Sequence, residues 1–93
     1  MPFDEWMKGL RDKTAIARML ARLARVRRGN LGDCKPVGDG VSELRVDFGP
    51  GFRVYFGQEG ATIVVLLCGG EKRTQTRDIR LAKQYWHEFK ETK

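Results

Sequence analysis

Residues 43–56, Glu-Leu-Arg-Val-Asp-Phe-Gly-Pro-Gly-Phe-Arg-Val-Tyr-Phe, decide the fold of this chain. Leu44, Val46 and Phe48 alternate with Glu43, Arg45 and Asp47, and after the turn Phe52, Val54 and Phe56 alternate with Arg53 and Tyr55. Side chains on a strand point to opposite faces with a period of two, so the stretch predicts a β-hairpin with one apolar and one polar face. Gly49-Pro50-Gly51 supplies the turn. The apolar set lines a core, and Arg45, Arg53 and Tyr55 are expected to share an open sheet face suited to a phosphodiester.

Downstream, Gln58-Glu59-Gly60 predicts a second turn, and residues 61–68 read as a strand. That strand is apolar on both faces, which places it centrally and under cover. Gly69-Gly70 ends it. A last helix is predicted from about Thr76 to Phe89, with Ile79, Ala82, Trp86 and Phe89 on its buried stripe. Upstream, residues 29–41 carry Gly29, Asn30, Gly32, Pro36, Gly38, Asp39 and Gly40 and read as a loop. Before the loop, Asp12 is positioned to cap a helix whose apolar stripe is Ile16, Met19, Leu20, Leu23 and Val26, and which stops near Arg28 because Gly29 accepts a left-handed cap. Phe3, Trp6, Met7 and Leu10 predict a shorter helix ahead of it. The expected fold is α+β, a two-layer sandwich in which a small antiparallel meander sheet packs against an N-terminal helical hairpin and a C-terminal helix. Residues 1–93 are expected to form a single domain.

Composition narrows the function classes. A hydrophobic content of 41% is that of a globular protein, and no apolar run approaches the roughly 18 residues of a membrane span. Asp4 and Glu5 interrupt the N-terminus before any apolar leader forms, so a cytoplasmic location is expected. Cys34 and Cys68 form neither a disulfide framework nor a Cys-x-x-Cys pair, and with one histidine no zinc site is expected. The 18 Lys and Arg against 12 Asp and Glu give a net charge of +6, which suits a polyanion or an acidic protein.

Several residues carry chemistry in this pattern. Arg45 and Arg53 lie on neighbouring strands, and Lys72 and Arg73 follow Gly69-Gly70, so the four define a cationic cluster able to hold a phosphate, with Lys35 a further contributor. Ordinary solvated charge is the competing reading. Tyr55 either stacks on a base or closes the edge of the core. Arg11, Arg18, Arg22 and Arg25 follow helical spacing and mark either a solvated face or a phosphate-backbone contact. His87 is the one histidine, either general base or surface residue. Asp78 is either a first-turn carboxylate favoured by the helix dipole or an active-site acid, base or arginine clamp, and Gln75 belongs to the same turn. There is no P-loop, HExxH or Ser-His-Asp arrangement.

The succession Phe3-x-x-Trp6, Arg22-Leu23, Gly29-Asn30-x-Gly32-Asp33-x-Lys35, Val37-Gly38, Glu43-Leu44-Arg45, Gly49-Pro50-Gly51-x-Arg53-Val54-Tyr55-Phe56, Leu66-Leu67-x-Gly69-Gly70-x-Lys72 and Gln75-x-x-Asp78-Ile79 resembles the addiction-module killer proteins. These are HigB-like members of the RelE/ParE toxin superfamily. The resemblance implies the toxin of a type II toxin–antitoxin system, a ribosome-dependent endoribonuclease that cuts mRNA with no metal or cofactor. It implies that Arg45 and Arg53 bind and polarise the scissile phosphate, that Lys72 or Arg73 is the basic group after the last strand, and that Asp78 stands near the position of a general acid. With the residues singled out above, the expected catalytic set is Arg45, Arg53, Lys72 and Asp78, and the expected RNA contacts are Lys35, Tyr55, Arg73 and Gln75. The implied partners are a helix-turn-helix antitoxin, the ribosome and mRNA, with operator DNA reached only through the antitoxin and no membrane. A ParE-like gyrase inhibitor and a degenerate toxin serving as an antitoxin-binding regulatory module are the alternatives. Relatives of this kind usually begin with a strand, whereas this chain enters its first helix almost at once.

Overall fold

The computed structural model describes residues 2–60 and 62–92. The chain runs α1 (Pro2–Gly9), α2 (Lys13–Arg27), β1 (Cys34–Gly38), β2 (Val41–Val46), β3 (Phe52–Glu59), β4 (Thr62–Glu71), a single 3₁₀ turn (Lys72–Thr74) and α3 (Gln75–Glu91). Among the described residues no strand precedes α1. No helix among them is long and apolar enough to cross a membrane.

Local chemistry sets the helix ends. The Asp12 carboxylate accepts from the backbone N–H groups of Thr14 and Ala15 at 3.0 and 3.1 Å, satisfying two donors that the first turn of α2 leaves open. At the other end Gly29 takes φ +88°. Its N–H donates to the Val26 carbonyl and that of Asn30 to the Arg25 carbonyl, both at 3.0 Å, the paired closure of a glycine-terminated helix. The buried stripe of α2 is turned from the expected one. Ala15, Met19 and Val26 are buried, Ile16 and Leu23 are half-buried, and Leu20 is 54% exposed.

The antiparallel sheet has the order β1-β2-β3-β4. In the central pair Glu43 opposes Tyr55, Leu44 opposes Val54 and Arg45 opposes Arg53, a register set by the five-residue connection 47–51, which is longer than the expected Gly49-Pro50-Gly51 turn. The α+β class and the meander stand, with three differences of detail. First, the expected loop at 29–41 contains β1. The composition of that stretch favours turns, but an edge strand tolerates Pro36, and pairing with β2 gives the backbone partners that water would otherwise supply. Gly38, Asp39 and Gly40 all take positive φ and make the turn into β2. Second, β4 is an edge strand and not the expected central one, its apolar residues on both faces being explained by helices on both sides of the sheet. It runs on through Gly69-Gly70 to Glu71, α3 begins at Gln75, and Ala61, the expected first residue of this strand, lies outside the described residues.

The third difference bears most on function. Phe3, Ala15, Met19, Val26, Leu44, Val46, Phe52, Val54 and Phe56 form one core between the sheet and α1–α2. Val41, Tyr55, Leu67, Cys68, Ala82 and Trp86 form a second on the other face, under α3. The sheet is therefore covered on both sides, and the expectation that all helices back one face is corrected. The close approach requires small residues. A β-carbon on Gly57 would overlap the Trp86 indole of α3, and one on Gly69 would overlap Trp6 of α1.

Candidate functional site

Cover by α3 changes what the polar face of the hairpin is. Tyr55 is fully buried and Arg53 is 7% exposed, so the expected open face carrying Arg45, Arg53 and Tyr55 is open only at Arg45, whose side chain is 35% exposed. Tyr55 closes the core and is not available to stack on a base. Burial first, and then the neighbouring Glu43 carboxylate, push its phenol well above the ordinary value, so it stays a neutral hydrogen-bond donor.

Arg45 and Arg53 lie directly opposite one another across the β2–β3 ladder. Like charges in that position repel. The offsetting charge comes from Glu43, in the sequence one polar alternate of the hairpin among others. It is wholly buried. Its Oε1 lies 3.5 Å from Arg45 Nε and 3.9 Å from Arg53 Nε, while Oε2 accepts from the Tyr55 hydroxyl at 3.0 Å and from Gln75 Nε2 at 2.8 Å. Glu43 Oε1, Arg45 Nε and Arg53 Nε are buried without a hydrogen bond of good geometry. Asp33 stands 4.0 Å from Arg45, and Arg53 Nη1 donates to the Phe52 carbonyl at 3.3 Å. The signal for Glu43 was present in the sequence, since it precedes Arg45 by two positions and so shares its face.

Lys72 joins this group through the turn. Its backbone N–H donates to the Gly51 carbonyl at 2.8 Å. The position a β-carbon would take on Gly51 is 3.2 Å from Lys72 Cβ and 3.4 Å from Arg53 Nη1, so Lys72 and Arg53 flank one glycine. Lys35, exposed on β1, pairs in the ladder with Glu43 and extends the same face outward. Arg73 is 81% exposed in its side chain and paired with Glu71 at 2.9 Å.

Asp78 is 4% exposed and sits over Gly70, which pairs with Arg53. Thr74 Oγ1 donates to its Oδ2 at 2.5 Å, and Arg77 lies 3.3 Å from Oδ1. It thus fixes the start of α3, and with it Gln75. Cys68, beneath α3, has its thiol pushed up to about 12 by burial and by Asp78. The remaining residues singled out in the sequence lie elsewhere. His87 pairs with Glu91 at 2.8 Å on the exposed side of α3. Of the basic stripe, Arg22 donates to the Arg45 carbonyl at 2.7 Å and Arg18 lies over the Phe48 ring at 4.5 Å, so both brace the hairpin.

Fold and site together define a small basic α+β protein in which helices close both faces of an antiparallel sheet around a carboxylate-anchored arginine pair. Residues 5–87 match the family described as phage-derived protein Gp49-like (DUF891), and the chain belongs to that family. The family is associated with the toxins of toxin–antitoxin systems, which implies an antitoxin partner in general terms. An uncharacterized protein of Haemophilus influenzae is 47% identical to this chain over 83 residues, covering 89% of this chain and 84% of its own length. No solved structure matches the chain.

Proposed function

We propose that this protein is a HigB-like toxin of the RelE/ParE kind that cleaves mRNA on the ribosome and is neutralised by a helix-turn-helix antitoxin. One observation carries this reading: Arg45 and Arg53 are directly opposed across the ladder, with Lys72 beside Arg53 at Gly51. Two guanidinium groups and the stem of a lysine side chain thus meet at one end of the sheet, an arrangement suited to a scissile phosphate. In the reaction the 2′-hydroxyl loses its proton and attacks the adjacent phosphorus, and the P–O5′ bond breaks as the 5′-oxygen gains a proton. The products are a 2′,3′-cyclic phosphate and a 5′-hydroxyl. Arg45 and Arg53 offset the charge that grows on the phosphoryl oxygens, and Lys72 adds to that field.

Lys35 and Arg73 extend the basic face along the RNA backbone. They add affinity without reading sequence. Gln75 and Tyr55 act through Glu43, and Asp78 acts through the start of α3, where Thr74 and Arg77 take up its carboxylate.

The test is a purified translation system with 5′-end mapping of a defined mRNA. New 5′ ends are expected only when ribosomes are present, and they are lost with Arg45→Ala. Intact mRNA together with stalled gyrase supercoiling would move the assignment to gyrase inhibition. Intact mRNA with both processes unaffected would leave a binding module.

A further inference from the structure

We infer that Glu43 is a positioning residue whose charge sets the two arginines for phosphate. This rests on the phosphate-seat reading above. The two carboxylate oxygens divide the task. Oε2 is held by neutral donors from two different elements, the Tyr55 hydroxyl of β3 at 3.0 Å and Gln75 Nε2 of α3 at 2.8 Å. Those contacts fix the plane of the carboxylate. Oε1 is then presented to Arg45 Nε at 3.5 Å and Arg53 Nε at 3.9 Å.

A guanidinium is a planar fork, so a carboxylate facing its Nε edge sets the direction of the whole group. One carboxylate here faces two such edges. With side-chain exposure of 0% for Glu43 and 8% for Arg53, the attraction acts in a medium of lower effective dielectric than water. It counters the repulsion between two arginines that the ladder places face to face. The count is also unbalanced. Two guanidiniums share one carboxylate oxygen, and all three of the buried atoms lack a well-formed hydrogen bond. Two guanidinium charges against one buried carboxylate leave positive charge at the site, which the exposed Asp33, 4.0 Å from Arg45, offsets only in part, and that charge favours an anion. Gln75 sits at the first position of α3, so the same carboxylate ties the helix to the arginine pair.

The experiment combines NMR with cleavage. Arginine Nε–H signals of the ¹⁵N-labelled protein are assigned to Arg45 and Arg53 by their loss in the two alanine variants. In the wild-type protein both are expected outside the envelope of exposed arginines, and both shift on titration with inorganic phosphate. Glu43→Gln keeps the size of the side chain and an acceptor for Tyr55 but removes the charge. Both signals are expected to fall back into the envelope, and ribosome-dependent cleavage to drop roughly 100-fold. Binding of ribosomes carrying an mRNA with a 2′-O-methyl group at the cleaved nucleotide is expected to change by no more than about threefold. Gln75→Ala, at the half-buried start of α3, provides a second variant with an expected drop of roughly tenfold if Glu43→Gln fails to fold. The inference is overturned if the wild-type signals lie in the envelope, if Glu43→Gln cleaves normally, or if binding and cleavage fall by the same factor. Pinned, phosphate-sensitive signals with intact mRNA would instead support the arginine clamp while removing the ribonuclease reading.

Discussion

The hydroxyl of Tyr55 donates a 3.0 Å hydrogen bond to Oε2 of Glu43, joining two residues that oppose each other in the β2–β3 ladder and are both wholly buried. Removing the donor leaves a buried carboxylate oxygen with Gln75 as its remaining hydrogen-bond partner. Tyr55→Phe is therefore expected to lower stability by about 1–3 kcal/mol, read as a shift in urea midpoint at unchanged m-value. Because the ring is not exposed, the same variant is expected to bind ribosomes as the wild type does.

Replacing either arginine should damage the protein unequally. Arg53 has 8% side-chain exposure and Arg45 has 35%, so Arg53→Ala removes the more deeply buried partner of Glu43. We expect Arg53→Ala to lower stability by about 3 kcal/mol and Arg45→Ala by less than about 1 kcal/mol. Both should reduce cleavage, and the double variant should lose less than the product of the two factors because the arginines share one carboxylate. Thermal melts and single-turnover cleavage of the three variants check this.

Alkaline stability reports the cover provided by α3. The Cys68 thiol is raised from 9.0 to about 12, chiefly by burial, and the Tyr55 phenol is raised above 10.0 for the same reason. In each case the folded state favours the protonated, neutral form. Their contribution is thus fully present below pH 9 and is lost as the pH rises, first through the thiol range and then through the phenol range. Each group contributes a slope of up to about 1.4 kcal/mol per pH unit. Urea midpoints measured between pH 8 and pH 11 are expected to fall from near pH 9, and Cys68→Ala should flatten the first part of that decline. The half-buried Cys34, also raised by burial, should contribute a smaller share.

Two glycines offer a sharp contrast. A β-carbon on Gly57 would overlap the Trp86 indole, whereas one on Gly9 meets nothing within 4 Å. Gly57→Ala is expected to cost about 1–3 kcal/mol by forcing α3 away from the sheet, and Gly9→Ala to change stability by less than about 0.5 kcal/mol. Gly70→Ala would push on the Asp78 carboxylate instead, so its expected signature is loss of cleavage that exceeds its loss of stability.

Much of this protein follows from sequence alone. The period-two alternation in 43–56 determined the apolar core set, because parity on a strand is local. The same alternation determined that Arg45 and Arg53 share a face on neighbouring strands, whereas their direct opposition was set by the five-residue connection 47–51, two residues longer than Gly49-Pro50-Gly51 alone. Asp12 and Gly29 determined the ends of α2, because caps act on the nearest few backbone groups. Pairing of β1 was hidden, since its residues are turn formers and only the free edge of β2 makes them a strand. Which side α3 covers was equally hidden, because an amphipathic stripe states that a face is buried and not against what. That single tertiary choice turned Tyr55 inward, closed over Arg53 and placed Gln75 against Glu43. The arginine pair was therefore legible in the chain. The carboxylate that holds it was decided by packing, because burial alone makes one unexceptional glutamate the counter-charge of two arginines.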